Sequence, residues 1–447
     1  MANSLPRWSV PVSPLRRGTS EGRRGRQAVA AWGLPVNPEM QSPRLPSPPS
    51  LPPRYVPSLH VLALLTAAAT FPLIFMGGLV TSHGAGMSVP DWPNSYGYNM
   101  FLFPPRLWIG GILYEHTHRL MATVVGMLSI GLTIVAWRVE SRRSVRLLAA
   151  STLLAVIFQG VLGGLRVVLV KLDLAIVHAC VAQAFFCLAA MVAVVTSRWW
   201  IEAEGRSFAP STVHARLLVF ACLIAFFAIY AQLIVGATMR HYQAGLAVPD
   251  VPLAYGQLIP RTDPASLDAY NQFRAWRLNL PPVTASQIWL HMGHRLGAVL
   301  VTLLVLWASG LVFLRHRSQR ALVTPASILI ALIALQITLG ILTVLKRKPA
   351  DIASAHVAIG ALILVTMFVL TVRAIRLFAL VPAAAQSAGR ESFEPRGPTL
   401  FQRDKIQPRC SFSLPNHSYF WWVRSRERHW PDACFDPDWS CDREIHL

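Results

Sequence analysis

The sequence predicts an all-α integral membrane protein of eight transmembrane helices, arranged as two parallel four-helix-bundle repeats between disordered tails. Long apolar runs, an uneven distribution of charge and an internal repeat lead to this fold class. Of 447 residues, 53% are hydrophobic and only 14% charged, a balance that suits lipid better than water. Apolar runs of about 18 residues or more, each able to cross roughly 30 Å of hydrocarbon as a helix, recur near 60–80, 117–137, 147–167, 174–197, 216–238, 290–314, 324–345 and 353–376.

The net charge of +20 does not point to nucleic acid, because the cations are not gathered on a folded surface. They sit instead in the tail before the first span (Arg16, Arg17, Arg23, Arg24, Arg26), after the second (Arg138, Arg142, Arg143, Arg146) and after the fourth (Arg198, Arg206). More follow the sixth (Arg315, Arg317, Arg320) and close the eighth (Arg373, Arg376). The positive-inside rule then puts both termini and these loops on the cytoplasmic side. The outer loop Lys346-Arg347-Lys348 runs against that bias.

Cys180, Cys187 and Cys222 fall inside spans and Cys410, Cys434 and Cys441 in the C-terminal tail, so no outer-face disulfide is expected. Cys434 and Cys441 with His429 could bind zinc, but their spacing fits no standard pattern. Residues 1–57 are basic and Pro-rich, including PSPPSLPP from Pro46 to Pro53, and cannot form a packed core. The prolines also argue against the amphipathic helix of a transit peptide. The cell inner membrane is therefore preferred over the mitochondrial one. The expected organisation is this extension, a first four-helix unit over 58–200, a second over 201–380, and a tail over 381–447 with no assigned role.

Residues 84–97 read GAGMSVPDWPNSYG and residues 243–256 read QAGLAVPDVPLAYG, each just after an odd-numbered span. The match continues with His118-Arg119-Leu120 and His294-Arg295-Leu296, then Gln159 and Gly163 with Gln336 and Gly340, then Asp173 and His178 with Asp351 and His356. Two copies of a unit with an even number of spans enter the membrane from the same side, so they are parallel repeats. The matched histidines then lie at one depth, within the first turns of helices that start at the outer face.

A histidine inside a bilayer needs a partner and usually marks function. In each half, His118 with His178, or His294 with His356, comes from the second and fourth helices, which lie diagonally across an up-down-up-down bundle. Such a pair could clamp a haem iron from both sides; a lone transmembrane histidine more often bonds a neighbouring helix. Arg119 and Arg295 could bind haem propionates or snorkel to the headgroups, and Arg166 is a weaker candidate of the same kind. Gly160 with Gly164, and Gly77, Gly78 and Gly236, suit close helix packing or a haem edge.

The halves differ one turn before the ligand, where the first has Glu115 and the second His291. A spacing of three puts Glu115 on the face of His118. There it could handle protons at a substrate carbon or orient an imidazole through its other nitrogen. The first half is thus expected to be catalytic and the second to hold a permanent haem. A dihaem electron carrier and a transporter are the competing classes.

GAGMSVPDWPNSYG, the Glu-x-x-His-Arg that follows and the repeated His-Arg helix resemble the haem A synthase family over residues 60–376. The resemblance implies an oxidoreductase that oxidises the C8 methyl of haem O to a formyl group by successive hydroxylations, with water supplying oxygen, for cytochrome oxidase. It implies that His118 and His178 belong to the substrate half with Glu115 essential, and that His294 and His356 ligate a haem B cofactor. Many bacterial relatives carry a cysteine pair in the first outer loop; this chain has none between Thr81 and Tyr114 and resembles the cysteine-free class. The outer segments are expected to be lids, with Asp91 and Asp250 capping a short helix or handling protons. Leu258–Ala285 has no expected role. The electron acceptor, a homo-oligomer, and docking by a haem O synthase or assembly factors stay open.

Overall fold

The computed structural model describes residues 54–202 and 213–378. The expected N-terminal extension, up to residue 53, and the tail with its three cysteines and His429 lie outside those residues. Among the described residues eight helices are long and apolar enough to span a membrane. They are α1 (Pro57–Ser82), α2 (Gly111–Val139), α3 (Arg143–Leu169), α4 (Leu172–Val195), α6 (Val213–His241), α8 (Ala285–Arg315), α9 (Arg320–Leu345) and α10 (Ala350–Leu377). Between them lie two short helices, α5 (Arg198–Glu202) and α7 (Pro264–Phe273).

In the first half α1 packs on α2 and α4, and α3 packs on α2 and α4. In the second, α6 packs on α8 and α10, and α9 on α8 and α10. The second and fourth helices of each half therefore stand across the bundle from one another, as the up-down-up-down order requires. The halves join along a seam in which α1 packs on α10, and α4 on α6 and α10. Ile74, Phe186 and Ala361 are buried together there, and the Tyr230 hydroxyl donates to the Cys180 carbonyl at 3.1 Å. At the inner end Trp199 and Trp200 of α5 lie under the guanidinium groups of Arg373 and Arg376, at 5.4 and 4.8 Å, so cation–π contacts tie the halves there too.

The two segments expected to be lids have matching build. Asp91 accepts from the Tyr96 and Gly97 N–H groups at 2.7 and 2.8 Å, and Asp250 from those of Tyr255 and Gly256 at 2.8 and 2.9 Å. The expectation of a helix cap is corrected: the carboxylates clasp a turn. The turn needs left-handed backbone, with φ of +50° at Tyr96 and +78° at Gly97, +52° at Tyr255 and +76° at Gly256. This explains the repeated Tyr-Gly, since glycine takes that geometry freely and the carboxylate holds the tyrosine in it.

The additional residues of the second outer loop form a strap across the second lid. Asp263 caps α7 by accepting from the Ser266 N–H at 3.0 Å, with Pro264 behind it, a common N-terminal signature. The buried Arg274 then donates to the carbonyls of Leu246 (2.7 Å) and Pro281 (2.9 Å), and Tyr270 stacks on Tyr255 with ring centres 3.9 Å apart. The first lid has no such strap, and its Phe101 and Leu102 are 65% and 76% exposed. Arg274→Ala leaves buried carbonyls unpaired, which costs about 1–3 kcal/mol per lost partner. It should raise amide exchange across 244–256 while leaving 85–98 unchanged; equal protection in the variant would refute the strap.

Candidate functional site

The four repeated histidines lie about two turns inside α2, α4, α8 and α10, and each ring rests on a glycine of a neighbouring helix. A Cβ at Gly77 (α1) would come within 3.2 Å of the His118 ring, and at Gly163 (α3) within 3.2 Å of the His178 ring. Gly236 (α6) and Gly340 (α9) hold the rings of His294 and His356 in the same way, at 3.1 Å. These glycines are cradles for imidazoles rather than helix-packing contacts. Gly164 instead lies against the Trp92 indole of the first lid, and a Cβ at Gly160 would meet no other part of the chain within 4 Å, so the two do not form a packing pair within the chain.

The His294 and His356 ring centres are 6.4 Å apart. Two imidazoles sharing one ion through bonds of roughly 2 Å would put their ring centres about 6 Å apart. The Nδ1 atoms of His178 and His356 are buried with no hydrogen-bond partner, which is costly unless a ligand completes them. Among the described residues no three His, Cys, Asp or Glu side chains gather as a bare ion would need. A porphyrin supplies its iron's equatorial nitrogens and leaves two axial positions for the protein, so the pairs fit haem.

The histidines are not equally anchored. In the second half Gln232 Nε2 lies 3.0 Å from His294 Nδ1 and donates to the His294 carbonyl at 2.7 Å. Gln336 Nε2 lies 3.4 Å from His356 Nε2. In the first half Gln159 reaches only the His178 carbonyl, at 3.1 Å, and the repeat places Leu73 where the second half has Gln232. Sequence reasoning passed over Gln232 because it has no repeat partner; a lone polar residue on an apolar span was its signal.

Glu115 is 4% exposed. Its carboxylate accepts from the Val89 N–H at 2.9 Å and pairs with Arg119 at 2.9 Å. It shares a face with His118, as its spacing requires, but its recorded bonds run to the first lid rather than to an imidazole. His291, its counterpart, bonds the same part of the second lid, with Nδ1 3.4 Å from the Val248 nitrogen and 3.1 Å from the Ala244 carbonyl oxygen.

Arg119 donates to the carbonyls of Asp91, Asn94 and Val89 at 2.7–2.9 Å, and Arg295 to those of Leu253, Val248 and Asp250 at 2.6–3.2 Å. Both fasten lids, which neither expectation for them, propionate binding or snorkelling, foresaw. Arg166 makes a single recorded bond, to the Gly86 carbonyl at 2.7 Å. His116, also missed, is buried, lies 3.2 Å from the Ser95 hydroxyl and packs against Phe103 and Trp108. It pins the first lid to α2, a role the sequence could not signal because Met292 replaces it in the other half.

The first lid is sensitive to acid through Asp91. Burial opposes ionisation, but the Gly97 and Tyr96 N–H groups and then Arg119 outweigh it and hold the carboxyl below its ordinary range. A depressed folded pKa means the clasp is complete above the unfolded value of about 4 and is lost as pH falls through the lower folded value. Amide exchange at Tyr96 and Gly97 should rise only below that range, and Asp91→Asn should show high exchange at neutral pH. Equal protection in Asp91→Asn would contradict the clasp.

Fold and site together define a duplicated membrane bundle with a pair of histidines opposed across each half. The family model of the COX15-CtaA cytochrome oxidase assembly proteins matches residues 111–368, more than half of the chain, which belongs to that family. A relative from Shouchella clausii named heme A synthase is 29% identical over 64% of this chain and 87% of its own length. One of the same name from Halalkalibacterium halodurans is 27% identical over 69% and 95%. A third, from Shewanella oneidensis, is 23% identical over 68% and 93%.

Proposed function

We propose that this chain is a haem A synthase that oxidises the C8 methyl of haem O to a formyl group, its first half holding the substrate and its second a resident haem B. Family membership and the heme A synthase relatives support the reaction. The unequal anchoring of the two histidine pairs carries the division of labour. A ligand imidazole held through its other nitrogen binds more firmly and in a fixed orientation. That suits a permanent group on His294 and His356, under a strapped lid. His118 lacks such a partner and lies under an unstrapped lid, which suits a substrate that enters and leaves.

His118 and His178 would grip the substrate iron and fix the ring relative to the first lid. Haem B, when bound by His294 and His356, supplies one-electron redox chemistry. Converting the methyl to a formyl group takes up water and releases protons and electrons in equal number, so the pocket needs a proton acceptor at the reacting carbon. Glu115 is the carboxylate beside His118. Its two oxygens accept one bond each, from Val89 and Arg119, and keep acceptor capacity for that proton with the lid closed, while Arg119 keeps the carboxylate oriented. The lid closed over the porphyrin would exclude bulk water. The expected setting is the cell inner membrane with both termini cytoplasmic; the electron acceptor is not assigned.

Incubating the purified chain with haem O and an oxidant, and analysing the porphyrins by mass spectrometry, should give the alcohol and then the aldehyde. Bound haem with no oxidised product would favour a dihaem electron carrier. Glu115→Gln should retain haem yet slow product formation by at least about a hundredfold; an undiminished rate would remove the proton role. His294→Ala and Gln232→Leu should lower haem B content, the first nearly to zero and the second by roughly tenfold in affinity. Unchanged content in either would reverse the assignment of the halves.

A further inference from the structure

Arg166, Arg240 and Lys348 gather with His241 at the outer end of the seam. Arg240, on the last turn of α6, crosses to α1 and donates to the Gly78 carbonyl and the Ser82 hydroxyl. Ser82 in turn lies 3.1 Å from the Ser354 hydroxyl of α10. His241 is within electrostatic reach of both Arg166 and Arg240, and Lys348 of Arg240. Burial first, and Arg240 second, lower the pKa of the Lys348 ammonium, whose Nζ lies 3.3 Å from Gln243 Oε1. All four side chains are half-buried.

Cations gathered in a poorly solvated place repel one another unless an anion joins them. The ion pairs recorded among the described residues are Arg119 with Glu115 and Arg142 with Glu140, and neither includes a member of this cluster. Glu115 is within electrostatic reach of Arg166 but is already paired with Arg119. Nor is the cluster a relic of the repeat, whose register puts Thr81 opposite Arg240 and Thr343 opposite Arg166. It arises only where the halves meet, and it gives Lys348 a reason to sit in an outer loop against the positive-inside rule.

We propose that this seam is an oxyanion site whose occupants are porphyrin propionates, with Arg240 shared between the two pockets; the identity of the occupant rests on the haem reading above. Arg240 bonds Gly78, next to the glycine that cradles His118, and it is within electrostatic reach of His356. One guanidinium thus borders a pocket of each half. Arg119 and Arg295 are each engaged by three lid carbonyls, whereas Arg166, with one bond to the first lid, Arg240 and Lys348 keep N–H groups to offer carboxylates, with His241 beside them. A porphyrin whose propionates point to this outer seam turns its opposite, apolar edge toward the bilayer interior.

The test compares binding of haem B and haem B dimethyl ester to the purified full chain by absorbance titration, with Arg240→Gln and Arg166→Gln alongside. Charge-assisted bonds to carboxylates should make the free acid bind at least about tenfold tighter than the diester. Arg240→Gln should lose most of that preference, keep a low-spin spectrum and lower the reduction potential of the bound haem, since a nearby cation favours the reduced form. Equal affinity for acid and diester in the unmodified chain would overturn the proposal even if neither variant folds. So would equal affinity accompanied by thermal stabilisation from inorganic phosphate, which would assign the seam to a free or headgroup phosphate. Failure of any haem to bind would overturn the reading under Proposed function together with this one.

Discussion

Each half of the bundle is organised around imidazoles packed on bare glycine backbone within a membrane helix bundle. Glycine suits these positions because a Cβ at Gly77, Gly163, Gly236 or Gly340 would come within 3.1–3.2 Å of a histidine ring and push it by a few tenths of an ångström. The ring in turn is tolerated in an apolar setting only if its nitrogens find partners. Helix order follows from this: ligands on the second and fourth helices stand across the bundle, and the cradling glycines sit on the first and third. The lids follow as well, since a polar group near the outer face needs to be shielded from water to act on a buried ring.

The two units share one build, and the differences between them fit the proposed division of tasks. Identical parts hold both lids: the Asp clasp, the tyrosine hydroxyl that donates to Ser88 or Ala247 at 2.6–2.7 Å, and the arginine that gathers lid carbonyls. The differences lie in how each lid is fastened and in what stands beside each histidine. The second half has the strap of α7 and Arg274, and the two glutamines at the ligand rings. The first half has a carboxylate at the helix turn before His118, His116 pinned to Ser95, and an unstrapped lid with exposed aromatic and aliphatic side chains. A site that must exchange its porphyrin and one that must retain it are expected to differ in this way.

Most of the architecture was legible in the sequence because apolar run length responds directly to the bilayer. The repeat then aligned the histidines without any tertiary information. The opposed histidines were legible in the sequence and the fastenings around them were not. Arg119 and Glu115 were visible as charged residues in an apolar setting, but their partners are lid backbone atoms whose positions depend on the loop fold. The strap was hidden in a polar stretch whose only clue was Asp263-Pro264, a helix start. Gln232, Arg240 and His241 were missed because comparing the repeats favours what the halves share, and these belong to one half or to the junction; Arg166 and Lys348 were noted singly, but nothing in the sequence brought them together.

The central claim is that the histidine pairs ligate iron from both sides, and electron paramagnetic resonance of the ferric, haem-loaded chain tests it most directly. The account predicts low-spin signals characteristic of two axial imidazoles, converting to a high-spin signal for one site in His356→Ala. High-spin iron in the unmodified protein, or low-spin signals unaffected by that substitution, would contradict it.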